Sequence, residues 1–301
     1  MKVIDPYVIT EGALLSSTVS EDDAPAWSAV TAYTATDVVV YAHKIYECLV
    51  ANTGLHPDLH VAGITPKWLD LGATNRWKMF DQKVGTRTST LGVIEVELAV
   101  GKVVPAVALL EIDGVSVTVS VTDPVEGEVY ASTKNLLAPL STPSWWNYFF
   151  EPISRSSIAL FTDLPSYKNA TITIEVRGGS VNEETQCGVC LLGVQKVFAK
   201  AVSYGVRLGI QDFSAKETDT FGNFVIIERS FAKRATWTFL LNNADLDSYQ
   251  AFMASLRSKP VLYIGTDIYA STMIYGFFRD FETIISYPNQ SECSVEIEGL
   301  I

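Results

Sequence analysis

The side chains most able to do polar chemistry near neutral pH are three histidines, four cysteines and a few carboxylate pairs, and their spacing bears directly on catalysis. His43, His56 and His60 share one short segment. A nucleophilic triad needs a histidine beside its serine or cysteine, so any nucleophile elsewhere in the chain would have to reach that segment from outside it. His56 and His60 are four apart, the spacing that brings two imidazoles to one metal on a helix, but Pro57 and its loop context break that helix. Cys187-Gly188-Val189-Cys190 has the spacing of a zinc or redox knuckle, yet no second CxxC or CxxH completes four ligands, and two reduced thiols on a strand are expected instead. Glu95 and Glu97, like Glu296 and Glu298, alternate and so share a strand face; two such acids could hydrolyse a glycosidic bond, and solvated outer faces explain them better. Glycine motifs that cradle phosphate are absent. The expectation is a protein that is not an enzyme and holds no metal or cofactor.

Aromatic rings offer another kind of chemistry. From Ala26 to Gly72 the chain carries Trp27, Tyr33, Tyr41, Tyr46 and Trp68 in a stretch too short to need them all for a core. A pyranose ring lays its C–H face on such a ring and releases water there. Tyr33, Tyr41 and Trp68 are the glycan-stacking candidates, with Asp37 and Lys44 as polar contacts. Trp27 and Tyr46 are read as core. The alternative for all five is that a unit of about fifty residues uses its rings to hold itself together.

These rings sit on recognisable local structure. TDVVVYAHKIYECL reads as a β-hairpin turning at Ala42-His43-Lys44, and Gly54, Pro57, Gly63 and Pro66 break up the loop that follows. The order Trp27, Tyr33, Asp37-Val38-Val39-Val40-Tyr41, Tyr46 and Trp68-Leu69-Asp70-Leu71-Gly72 resembles the small carbohydrate-binding modules beside bacterial chitinase catalytic domains, over about a sixth of the chain.

Composition bounds the rest. A chain of 301 residues, 48% hydrophobic, can bury the cores of two or three domains. Its net charge of −12 and lack of any Lys/Arg-rich run remove the phosphate attraction that dominates nucleic-acid affinity and predict repulsion from an anionic membrane. No apolar run reaches the roughly 18 residues a spanning helix needs. The expectation is therefore no nucleic-acid partner and no membrane insertion. MKVIDP lacks the form of a secretory signal, and the cysteines are too scattered for a disulfide framework, which predicts assembly in a reducing cytoplasm.

Along the chain, residues 1–25 read as an N-terminal arm able to lend a strand to a neighbour, and 26–74 as the small module. Residues 75–178 carry short alternating runs such as Val115, Val117, Val119 and Val121, separated by turn signals at Asp113-Gly114 and Glu126-Gly127. They predict an antiparallel β-sandwich of jelly-roll type. Within it TPSWWNYFFEPIS reads as a buried aromatic plug, with a sugar-stacking or partner-docking patch as the other reading. Residues 179–186, GGSVNEETQ from Gly178, read as a linker. Residues 187–301 predict a β-barrel-like domain with one packed helix: Leu246, Tyr249, Phe252 or Met253, and Leu256 share a face, Asn243 can cap it and Pro260 ends it. The fold class is thus mainly β throughout.

The succession of TNRWKMFD after the module, a sandwich, KETDTFGNF, ERSFAKR, a single helix, YGFFRDF and EIEGLI resembles a family of tail tip or baseplate proteins of long-tailed bacteriophages, over nearly the whole chain. The resemblance implies a structural component of the virion tail, in a homo-oligomeric ring with other phage tail proteins as partners. The module would then touch a host-surface saccharide. Two other classes stand beside it: a free glycan-binding adhesin or chitinase accessory protein, which would need export, and a glycan depolymerase, which would need an acid pair in a cleft.

Overall fold

A computed structural model of the chain describes residues 1–137, 145–150, 154–198, 202–203, 205–218 and 222–300. The architecture is mainly β, as the alternation predicts. One sheet of the sandwich runs in the order Thr88–Leu91, Glu184–Val197, Ala106–Asp113, Ile158–Phe161, and the facing sheet Val93–Leu98, Thr171–Arg177, Ser116–Asp123, Gly127–Asn135. All pairings are antiparallel. Followed along the chain, every connection crosses between the sheets except the hairpin from Ser116 to Asn135, which is jelly-roll topology. Period two explains it: Val117, Val119 and Val121 point inward against Val107, Leu109 and Leu192 of the facing sheet.

The eighth strand of this jelly roll is Glu184–Val197, so the stretch expected as a linker, 179–186, is instead the turn into that strand. Gly178 N–H donates to Gly92 O (2.8 Å), Gly92 N–H to Glu183 O (2.9 Å), and the buried Thr185 hydroxyl also donates to Gly92 O (2.8 Å). Arg155 closes the turn from outside on Glu183 at 2.8 Å. Glycine and acid there serve a tight, bonded turn, a use their composition shares with a linker.

The N-terminal segment is likewise not a free arm. Lys2–Pro6 pairs with Gly193–Val197 along one edge and with Leu262–Ile264 along the other, and Val3 and Ile4 are fully buried. Leu14–Ser17 then adds to the second sandwich sheet beside Val93–Leu98. Through Lys2–Pro6 the first sheet continues into Val261–Ile264, Met273–Ile284, Gln290–Gly299, Phe231–Asn242 and Arg207–Asp212, ten strands in all. Gly193 marks the handover, because a Cβ there would sit 2.2 Å from Asp5 O and only backbone without a side chain fits.

This long sheet curls. Beyond the handover, one face carries Val3, Trp237, Phe239, Tyr263 and Val295 and is covered by the helix Leu246–Ser255 through Tyr249, Phe252, Met253 and the adjoining Leu256, the face the spacing predicts. Asn243 does not cap it. Its amide donates to Tyr287 O and Pro288 O at 2.9 Å and accepts from Ser291 Oγ, tying the helix start to a loop. The other face folds back so that Ile4, Leu262, Ile264, Met273 and Tyr275 pack on Ala106, Ala108, Leu110, Val189 and Leu191 of the jelly roll. Sandwich and C-terminal part therefore share both a strand and a core.

Within TPSWWNYFFEPIS, residues 142–144 and 151–153 lie outside the described residues, as do 219–221 of KETDTFGNF and 301. Trp145–Phe150 forms a short helix whose Trp145 (81% exposed), Trp146, Phe149 and Phe150 face outward, so these rings are not a buried plug.

Candidate functional site

The module is built from a hairpin, Val38–Tyr41 and Lys44–Cys48, a third strand Trp68–Ala73, and a short pair Ala32–Tyr33 with Asn52–Thr53. Ala42 and His43 make the two-residue turn with φ of 48° and 63°, the left-handed pair that matches strand twist. The turn also fixes the module to the jelly roll. His43 stacks on Trp77 (4.4 Å between centroids) with Nδ1 2.9 Å from Glu21 Oε1, and Thr74 Oγ1 donates to the same oxygen at 2.8 Å. Arg76 Nε donates to Val19 O at 2.7 Å, and Trp77 and Met79 enter the sandwich core.

Burial sorts the stacking candidates. Trp68 is 0% exposed, its Nε1 donating to Leu55 O at 3.1 Å, and Tyr33 is 7% exposed, its ring edge-on to Trp68. With Val39, Tyr46 and Cys48 they are the module's core, so neither can offer a face to a sugar. The polar candidates are engaged as well. Asp37 accepts from Thr34 N (2.6 Å) and Oγ1 (3.0 Å), closing a turn. Lys44 donates to Asp70 at 2.7 Å across the sheet. Burial pushes the Asp70 carboxyl up, but the bonds from Lys44 and the Gly72 N–H outweigh it and hold it below the usual range, while the bond to Asp70 raises Lys44.

Tyr41 alone of the expected stackers reaches the surface, and it does so with company. Its ring lies 5.3 Å from Trp27 and 5.5 Å from His56, His56 lies 4.4 Å from Trp27, and His56 Nδ1 is 3.2 Å from the Tyr41 hydroxyl. Trp27 and Tyr41 are half-buried and His56 is exposed. Trp27 Nε1 has no hydrogen-bond partner among the described residues. Spacing could not reveal this trio, because it joins the segment before the module's first strand, the end of the first hairpin strand and a distant loop.

The groups considered for catalysis are dispersed. Glu97 accepts from Ser16 Oγ at 3.0 Å, Glu296 is held by Arg234, and Glu298 lies 3.4 Å from Arg279. His60 Nδ1 donates to His56 O at 2.9 Å. All four cysteines are buried, and desolvation pushes the Cys187 thiol up to about 12 and Cys190 well above its ordinary value. Among the described residues no three His, Cys, Asp or Glu gather to hold a metal, and no helix is long and apolar enough to cross a membrane.

Two larger features lie in the C-terminal part. Ala215–Thr218 and Phe224–Ile227 form a hairpin that prolongs the ribbon of Arg207–Asp212 and Phe231–Asn242, with Phe224, Val225, Ile226 and Ile227 all exposed. Beside its base, a cleft of about 350 Å³ opens where the two limbs of the curled sheet part, lined by Val84, Arg87, Leu110, Glu111, Ile158, Lys233, Met273 and Tyr275 among others. Glu111 is in the left-handed region (φ 54°) in mid-strand, opposite Gly188, and pairs with Arg87 at 3.1 Å. No protein-family model matches the chain, and no curated protein matches it.

Proposed function

We propose that this chain is a non-enzymatic structural component of the tail tip or baseplate of a long-tailed bacteriophage, present as a ring of copies among other tail proteins. The observation that carries this reading is the combination of a body fused by one continuous sheet and three hydrophobic cores with an apolar ribbon that nothing among the described residues covers. Apolar surface of that extent on a strand edge is costly for a solitary molecule and ordinary for a subunit. The sequence resemblance names the assembly. Glu296 is held by Arg234, Glu298 lies beside Arg279 and the thiols are sealed in the core, so these groups serve the structure.

The docked module supports a secondary role in touching host-surface saccharide, now through Trp27, Tyr41 and His56. With each ring contributing on the order of 1 kcal/mol, one module binds no tighter than about millimolar, and repetition around a ring supplies the avidity. Quantitative mass spectrometry of purified virions tests the main reading. The protein is expected there at a fixed copy number matching a symmetric tail component. Its recovery solely as a secreted monomer, absent from virions, would overturn the proposal.

A further inference from the structure

The arm of Ala215–Thr218 and Phe224–Ile227 is out of balance with its surroundings. Strand neighbours point to opposite faces, so the four consecutive apolar residues of Phe224–Ile227 put exposed apolar side chains on both faces of this ribbon, beside Lys216 and Thr218 on one face and Ala215 and Glu217 on the other, with Phe224 77% and Ile226 65% exposed. A two-stranded hairpin is marginal in water by itself. The imbalance continues inward. On the strand Phe231–Asn242, the face that buries Ala235, Trp237, Phe239 and Leu241 also carries Phe231, and the register sets Leu208 opposite Ala235 and Ile210 opposite Lys233 on that face. Leu208, Ile210 and Phe231 are nevertheless exposed. The core face thus runs on past the helix that covers it. Together these side chains carry exposed apolar surface from the arm onto the sheet, the kind of surface that marks an interaction site.

The cleft at the arm's base has complementary character. Its floor includes Val84, Leu110, Ile158 and Met273, and its cations are Arg87 and Lys233. Lys233 makes no ion pair among the described residues, and neither does Glu228, which follows the apolar run on the arm. The arm cannot fill its own cleft: Phe231 lines that cleft, and only three residues separate it from Ile227, too few for a paired ribbon to reverse.

We propose that the arm of one copy docks in the cleft of a second copy, setting Phe224 and Ile226 on the apolar floor and Glu228, on the same face, toward Lys233. This contact joins two different patches, a head-to-tail arrangement whose repetition builds a ring where the rotation between copies closes. It gives the ring its residues and rests on that reading, but it is measured on purified protein, where its failure leaves the virion test untouched.

Sedimentation of the full chain over a range of concentrations is the first arm of the experiment. Self-association is expected, and the double variant Phe224→Asp/Ile226→Asp should weaken it roughly tenfold or more with the circular dichroism spectrum unchanged. A wild-type chain that stays monomeric throughout, or association untouched by the double variant, overturns the proposal. The second arm uses Ile226→Cys and Val84→Cys with a short bismaleimide, since the native cysteines are all buried. A cross-linked dimer should form from the mixture and from neither variant alone. A dimer from Ile226→Cys alone, meaning arm against arm, or none from the mixture, overturns the docking in the cleft.

Discussion

One residue in the left-handed region sits in mid-strand, opposite a glycine. Glu111 adopts φ 54° because Gly188 opposite leaves room, and a Cβ at 188 would come within 2.7 Å of Glu111 Cβ. Gly188→Ala should therefore cost about 1–3 kcal/mol by overpacking, measured by urea unfolding. Glu111→Gly should give back about 1 kcal/mol of left-handed strain, less whatever the Arg87 pair contributes. Ala42 is a second left-handed residue, in the hairpin turn. Ala42→Asn should raise the stability of the module by up to about 1 kcal/mol, since asparagine tolerates that conformation. For the Lys44–Asp70 pair the sign follows from the shifts: Asp70 titrates lower folded than unfolded, so its contribution is full above the ordinary carboxylate range and disappears as pH falls through the folded value. Lys44 is raised, so its share is lost only as pH climbs past the ordinary lysine range. Asp70→Asn should flatten the acid limb of the stability profile, and an unchanged limb would show that the pair contributes nothing there.

Among elements, the small module makes the sharpest distinction between core and surface. Trp68→Ala removes a fully buried ring and should cost about 3–5 kcal/mol, unfolding the module. Tyr41→Ala with His56→Ala should keep the dichroism spectrum and weaken saccharide binding by chemical-shift titration; binding that survives them would remove the trio from the site, and no binding by the unaltered chain would reassign the module to docking. The alternation of Val117, Val119 and Val121, the apolar face of the helix and the hairpin turn were all legible in the sequence, because each is a local pattern whose period matches its element. Tyr33 and Trp68 were ambiguous because composition counts rings without saying which way they point. The strand through Cys187 and Cys190 was legible, but its place as the eighth of the jelly roll was hidden by the glycines before it: Gly178 and Gly179 look like a linker, and only the pairing of Glu184–Cys187 with Thr88–Leu91 and of Gln186–Gly193 with Ala106–Asp113 assigns it to the sandwich. The place of Lys2–Pro6 was equally out of reach, since both of its partners lie nearly two hundred residues or more away.

For the whole molecule, the shared strand and the shared core predict that the pieces do not separate. Residues 75–178 expressed alone lack the strand that closes the jelly roll, and 187–301 alone lack Lys2–Pro6 between Gly193–Val197 and Leu262–Ile264. Neither fragment should give a cooperative thermal transition, whereas the full chain should; an independently folded fragment would refute the account of one continuous sheet. Assembly is the central claim, and a density map of an intact tail tip tests it most directly. The account predicts copies of this chain in a closed ring, joined through the arm strands Ala215–Thr218 and Phe224–Ile227, with the 26–74 module on the outer surface. A tail tip without this chain, or copies that meet elsewhere while the arm stands free in solvent, would contradict it.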